Sequence, residues 1–309
     1  MTTEKINIYD EVTQKIITAL EDGVTPWTRS WKSLGALRNA VSGRSYRGIN
    51  TLLLSISSLA QGFSDPRWLT FKNADQLGGK VRKGQKGTMI VFWKFVTKAQ
   101  DGEENFDGED HEDGSGKKFA FARRYTVFNV EQCDGLKLEA LTLDDLELEL
   151  EETELNEQAE AILALPVLHH GGDRACYMPS ADQIFMPQRS SFESLNHYYA
   201  TGFHETCHWT KHPSRLDRDF KQRFKVEKEA RAMEELVAEI GAAFLGAHTG
   251  VPFEGMQHPE YIGSWIKVFQ DNNKAIFTAT SHAQKAADFI IDQAGLLIPE
   301  SDLPVAALA

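Results

Sequence analysis

A chain of 309 residues has room for two domains, and 41% hydrophobic with 10% aromatic content suits ordinary globular cores, which excludes a fibrous or wholly disordered protein. Three scattered cysteines, Cys133, Cys176 and Cys207, exclude a disulfide framework and fit a reducing compartment. The net charge of −12 is unevenly spread: thirteen Lys/Arg face two acids from Gly23 to Lys98, whereas Asp101 to Asp113 holds eight acids and no Lys or Arg, so only the first segment could face a polyanion.

In chain order, Ile8, Val12, Ile16 and Leu20 recur every fourth residue and predict an amphipathic helix ended by Gly23. The Gly/Arg-rich stretch from Arg38 to Asn50 reads as a loop, and the apolar segment Thr51–Leu59 as a helix. A short helix is predicted after Thr70, leading into Gly78-Gly79. A turn over Lys80–Gly87 precedes a strand at Thr88–Val96, with Phe119–Val130 as its partner. The acidic insert between the two strands reads as a disordered hairpin loop. Leu143–Glu152 alternates like a strand but carries too much like charge for one, and is expected to be a solvated tether. Tyr177-Met-Pro and Gln183–Pro187 flank Ser180-Ala-Asp182 as a short hairpin. The expectation is an α+β protein of three parts. Residues 1–135 form a mixed helix/sheet domain with an acidic loop at 99–116, residues 136–156 an acidic linker, and residues 157–309 a second domain. No secretory pattern or bilayer-length apolar stretch is present in the sequence, so the protein is expected to be cytoplasmic, with no membrane partner.

The chemistry concentrates in His204-Glu205-Thr206-Cys207-His208. A helix starting at a capping box, Ser190-Ser-Phe-Glu193, would place His204 and His208 one turn apart on one face, so that both imidazoles reach one ion. Tyr199, Phe203 and Cys207 form a separate row that can pack into the core. Glu205 is the candidate general base. A zinc ion with three protein ligands and one open position brings the pKa of its water to roughly 7, and Glu205 would carry the proton from that water to the leaving amine. The third ligand is sought on a long helix over Glu227–Thr249, stopped by Gly250, with a core stripe of Leu236, Ile240, Phe244 and Ala247. Glu235 and Glu239 share another face of it with Ala242 and Gly246. Glu235 is assigned as ligand and Glu239 as acceptor from a ligand histidine, roles that could be exchanged. Glu234, about 100° away around the helix, is the weaker candidate. His282, Tyr198 and Tyr199 are considered as oxyanion donors, with a structural role favoured for each. One zinc per chain is expected, other divalent ions such as manganese being able to replace it in vitro.

The basic segment interleaves Arg29, Lys32, Arg38, Arg44, Arg47, Arg67, Lys72, Lys80, Arg82, Lys83, Lys86 and Lys94 with Trp27, Trp31, Tyr46, Trp68, Phe71 and Trp93. Cations neutralise phosphates and exposed rings stack on unpaired bases, which suits single strands better than duplex. Arg44, Tyr46, Arg47, Arg67, Trp68, Lys80, Arg82, Lys83 and Lys86 are the residues assigned to nucleic acid.

Several stretches together resemble the ArdC family of plasmid-encoded antirestriction proteins. They include Arg44-Ser-Tyr-Arg-Gly-Ile-Asn50, Arg67-Trp-Leu-Thr-Phe71, Gly78–Gly87, Tyr125–Val130, Tyr198–Thr210, Glu234–Leu245 and Ser281–Asp288. The resemblance covers nearly the whole chain. It implies an N-terminal single-stranded-DNA-binding domain, a C-terminal zincin-like metallopeptidase domain, and protection of incoming conjugative DNA from the recipient's restriction enzymes. The expected function is therefore a DNA-bound peptidase of the gluzincin type, with His204, Glu205, His208 and Glu235 at its centre. Its protein substrate would be an unidentified host protein, such as a component of the restriction system. The competing readings are a non-catalytic single-strand-binding protein with a structural metal and, weakest, a metal-dependent nuclease. Glu205 argues against the structural-metal reading, because a purely structural site needs no general base.

Overall fold

The computed structural model describes residues 7–28, 36–98, 104–105, 118–139, 155–224, 226–253 and 259–297. Most of the acidic insert, most of the acidic tether, and Arg29, Trp31 and Lys32 lie outside the described residues.

The predicted elements form close to where the local signals place them. Helix α1 (Ile8–Glu21) is capped by Asn7 and buries Val12, Ile16 and Leu20. Strand β1 (Arg38–Asn39) is followed by helix α2 (Ile49–Gln61), and β2 (Arg67–Leu69) by helix α3 (Phe71–Gln76). Thr70 caps α3 in a capping box with Asn73, the arrangement in which side chains at both ends of the first turn satisfy orphan backbone donors. Strand β3 (Lys80–Val81) precedes the long hairpin of β4 (Thr88–Lys98) and β6 (Lys118–Asn129), with the two-residue β5 (Glu104–Asn105) on its outer side. The five strands order as β1-β2-β6-β4-β5, and β3 pairs separately with β7 (Cys133–Asp134).

The second half begins with helix α4 (Glu157–Leu163). A three-stranded sheet follows, of β8 (Val167–His170), β9 (Cys176–Met178) and β10 (Gln183–Met186), with β10 in the middle and β9 an edge strand. The β9–β10 turn contains Asp182 at φ 54°. Helices α5 (Leu195–Trp209), α6 (Glu227–Thr249), α7 (Pro259–Asp271) and α8 (Ala275–Gln293) complete the fold. Helix α5 starts later than expected: its cap is Ser194, which accepts from His197 N–H at 3.1 Å, while Ser190 and Ser191 lie in a short 3₁₀ turn. Gly250 ends α6 in the left-handed conformation, as glycine does at many helix C-termini.

Two glycines set how closely α5 packs. A Cβ on Gly202 would come within 2.5 Å of Leu163 on α4, and one on Gly241 within 2.7 Å of the Cys207 sulfur. The α5–α6 crossing is therefore tight at the turn next to the histidines.

The boundary between the halves is a division of the sequence but not of the core. One apolar cluster runs from Val12, Ile16, Trp27 and Leu52 to Phe203, Leu236, Trp265 and Ile276. The Trp27 and Trp265 rings meet edge-on at 5.4 Å, and Tyr9 packs on Phe277 at 5.0 Å. Polar contacts follow the same seam, with Thr13 donating to the Asn273 carbonyl at 2.7 Å and Gly48 N–H to Gln284 at 3.0 Å. No described helix is long and apolar enough to cross a membrane.

Candidate metal centre

Helix α5 presents His204 and His208 on one face, and α6 brings Glu235 opposite them. The two imidazole Nε2 atoms are 3.1 Å apart, and Glu235 Oε2 is 3.4 Å from each. Ligands about 2.0–2.1 Å from a tetrahedral ion would lie about 3.3 Å from one another, so the donor set fits a divalent metal in both chemistry and spacing. Among the described residues, this is the one group of three potential ligands drawn together in this way. Glu239, one turn further along α6, is buried but outside the trio.

The groups around the trio hold it in place. His208 Nδ1 is 3.1 Å from Glu234 Oε1. Glu234 is clamped in turn by Arg218, whose Nε and Nη2 donate to its two oxygens at 2.8 Å each. Arg218 is buried and also donates to Thr210 Oγ1 and the Cys207 carbonyl, both at 3.0 Å. Glu234, the weaker candidate for a ligand on helical angle, is not in the trio but supports it as an acceptor at His208. The angle argument missed this contact because a glutamate side chain can reach around the flank of the helix. Arg218 had no signal in the sequence, since it comes from a loop whose path spacing cannot give.

Burial and charge explain the protonation pattern. Burial alone would push Glu234 up, but Arg218 outweighs it and holds the carboxyl near 2. Burial also opposes charge on His208, yet Glu234 and Glu235 raise its pKa. His204 is lowered, chiefly by burial. A metal held by these rings competes with protons for the same nitrogens.

Glu205 is 6% exposed, and its Oε2 accepts the backbone N–H of Tyr177 at 2.7 Å. The edge strand β9 thus fixes the carboxylate beside the histidines. Tyr177 is itself latched, its hydroxyl donating to Asp182 at 2.9 Å, with Arg215 paired to the same carboxylate. The hairpin was legible in the sequence, but its role as the support of Glu205 was not. The hydroxyls of Tyr198 and Tyr199 are engaged with His170 at 2.9 Å and Glu160 at 2.6 Å. His282 packs edge-on against Phe220. None of these three belongs to the trio.

The basic residues are dispersed by comparison. Trp68 is 0% exposed and Trp27 4%, so neither ring is open to a base; the assignment of Trp68 to stacking is corrected. Its apolar ring fills the small core of Leu37, Leu54, Ile90 and Val127, where burial is worth more than surface contact. Tyr46 is half-buried against that cluster. Arg67 is mostly buried in a pair with Asp65 and donates to the Glu139 carbonyl at 2.7 Å. Arg47 pairs with Asp288 and Arg82 with Asp134. Arg44, Lys80, Lys83 and Lys86 are exposed. Of the rings interleaved with the cations, Phe71 is 56% exposed, and two further exposed rings lie outside that set. Phe92 at 63% and Tyr125 at 45% pack edge-on with centroids 5.9 Å apart on the β4–β6 hairpin. Arg123, directly across from Phe92, is exposed beside them.

Residues 157–282 match the zincin-like metallopeptidase family, and the His204/His208/Glu235 group gives this half the divalent-metal site of that class. Residues 6–128 match the N-terminal domain of anti-restriction factor ArdC. Crystal structures of antirestriction ArdC protein from the R388 plasmid superpose with TM-scores of 0.77 metal-free and 0.74 with Mn(II) bound. In each case the identity is 34%, over 95% of this chain and 100% of that one. The chain belongs to the ArdC antirestriction family. It is also 35% identical to the uncharacterized protein y4eC of Sinorhizobium fredii, over 94% of this chain and 95% of that protein. A DNA primase TraC of Escherichia coli is 38% identical over 94% of this chain, but the match spans only 28% of the primase.

Proposed function

We propose that this protein is a DNA-bound zinc peptidase that protects incoming plasmid DNA. Its N-terminal half would hold single-stranded DNA while the α5–α6 site cleaves a host protein met there. The observation that carries the peptidase reading is Glu205, buried beside the three-ligand group and fixed by the Tyr177 N–H. A divalent ion held by His204, His208 and Glu235 would supply Lewis acidity toward a peptide carbonyl and toward water. Glu205 then takes the proton of the attacking water and delivers it to the departing amine nitrogen. Glu234 and Arg218 keep the His208 ring oriented through this cycle.

The DNA reading rests on the hairpin face. Phe92 and Tyr125 offer two exposed rings for stacking, with Arg123 beside them for phosphate. This combination tolerates any base sequence. Antirestriction is carried from the family and from the R388 protein, whose likeness runs the length of the chain.

The test is a search for new protein termini in recipient cells, comparing the wild-type protein with Glu205→Gln. We expect cleavage products in the first and none in the second, with equal metal content. Identical termini in both would end the peptidase reading and leave the family's antirestriction role to DNA binding with a structural metal.

A further inference from the structure

A cavity of about 490 Å³ opens at the seam between the two halves, among the described residues. Ligand sites typically run from about 300 to 1,000 Å³. The rings of Tyr46 and Phe244 line it, with the almost wholly covered Trp27 beside them, and Ala243, Ala247 and Ala287 leave its space unfilled. Phe244 and Ala247 were expected in the core stripe of α6. They line this cavity instead, each only partly buried. The Arg44–Asn50 loop forms one wall, tied to α8 by the Arg47–Asp288 pair and the Gly48–Gln284 hydrogen bond. Arg44 is exposed and has no carboxylate within ion-pair distance among the described residues. Arg47, although paired, keeps 61% of its side chain exposed.

We propose that this cavity receives one nucleotide of a bound single strand, its base among the rings and its phosphate against Arg44 and Arg47. The inference rests on the single-strand-binding reading and adds a site to it. The surroundings match such a ligand part by part. Aromatic walls suit a flat apolar base, the hydroxyls of Ser45 and Ser55 with His248 can meet its polar edge, and the two guanidiniums exceed the one facing carboxylate, Asp288. Because no single base edge is matched by a complete set of partners, the site takes any base. A nucleotide here would also touch α6, the helix that carries Glu234 and Glu235, so strand and metal site would share one structural element.

The experiment uses the full chain and three probes: an oligodeoxythymidylate, an abasic oligomer with the same number of phosphates, and thymidine monophosphate. The wild-type protein should bind the base-bearing oligomer far more tightly than the abasic one, with about tenfold of that preference coming from the base in this cavity and the rest from the β4–β6 face. Ala247→Phe, which fills the cavity, should remove about that tenfold and leave abasic affinity unchanged. Ala243→Leu should do the same from a second position, and unchanged metal content in both variants shows that α6 is intact. Arg44→Ala should weaken both oligomers. Retention of the full preference by both filled variants overturns the cavity site but leaves strand binding on the β4–β6 face standing. Thymidine monophosphate binding as tightly as the oligomer overturns the strand as occupant. Failure of the wild-type protein to bind either oligomer removes the single-strand reading itself.

Discussion

The two halves place their polar and aromatic groups in opposite ways. Around α5 and α6, titratable side chains are buried and answered: His208 by Glu234, Glu234 by Arg218, Glu205 by Tyr177 N–H. In the N-terminal half most cations lie at the surface, while Trp27 and Trp68 have gone into the core. The difference is one of cost. A buried charge must be matched atom by atom, because leaving one unpaired costs several kcal/mol, so the metal half has little freedom in which residues stand where. A surface cation contributes at most about 1 kcal/mol to stability and can be moved freely. Substitutions should therefore act steeply and locally in one half, and gently and additively in the other.

The steepest effect is expected at the ligands. His204→Ala and Glu235→Ala should each abolish stoichiometric metal binding, because each removes one of only three donor atoms in the group. Glu239→Ala should keep the metal. Elemental analysis decides this, and metal lost from the Glu239 variant but kept by the Glu235 variant would exchange their roles.

The next effect is expected one layer out. Arg218→Leu leaves Glu234 buried without its cation, and should destabilise the protein by about 3–5 kcal/mol. Glu234→Gln keeps an amide oxygen that can accept from His208 but removes the charge and leaves Arg218 buried without its carboxylate; it should weaken metal binding by about 10–100-fold with a comparable loss of stability. The pH dependence follows from the same pair. Glu234 has a folded-state pKa held near 2 against an ordinary 4.5. Its contribution to stability is thus full above about pH 4.5 and is lost as pH falls toward 2. Denaturation midpoints across that window should be flatter for Glu234→Gln. An equal acid sensitivity in both proteins would place the charge elsewhere.

How much of each half was legible follows from the kind of signal it gives. His204 and His208 are fixed by a single helix, and the period of 3.6 residues puts i and i+4 on one face whatever surrounds them. Glu235 could be chosen because its helix also shows a clear period. Glu234 and Arg218 could not, since their meeting depends on a loop from α5 to α6. In the N-terminal half, composition was the main signal, and composition says which residues are present but not which face they take. Trp68 lies in a stretch full of cations and still points inward, as its neighbour Leu69 also does. Phe92 and Tyr125 stand on strands that the sequence predicted, in a face that alternation alone did not single out as open.

Those two rings give the third prediction. Phe92→Ala and Tyr125→Ala should each reduce affinity for single strands by about tenfold, in keeping with about 1–3 kcal/mol per stacked base. Both should leave duplex affinity unchanged. Trp68→Ala should do the reverse: it leaves a hole in the Leu54–Ile90–Val127 cluster and costs about 3–5 kcal/mol of stability, with no direct loss of a DNA contact. Titrations with the three variants at one salt concentration, alongside thermal melts, separate the roles. A Trp68 variant that folds as well as wild type and binds strands less would return that ring to the interface.

The smallest effect is expected from the exposed lysines of the turn before β4. Lys83 and Lys86 stand on the surface, and among the described residues neither has an ion pair. Their contribution to DNA binding would come from displaced counterions, each phosphate neutralised on a single strand adding about 0.7 to the slope of log affinity against log salt. Replacing both with glutamine should therefore lower that slope by about 1.4 if both meet phosphate. The loss should be the same for every base sequence, because phosphate contacts carry no sequence information. Near physiological salt the loss in affinity should be only several-fold, so the slope is the better measurement. An unchanged slope would put the path of the strand away from this turn, toward Arg123 and the hairpin face. A slope reduced for one base sequence but not another would mean that these lysines reach the bases.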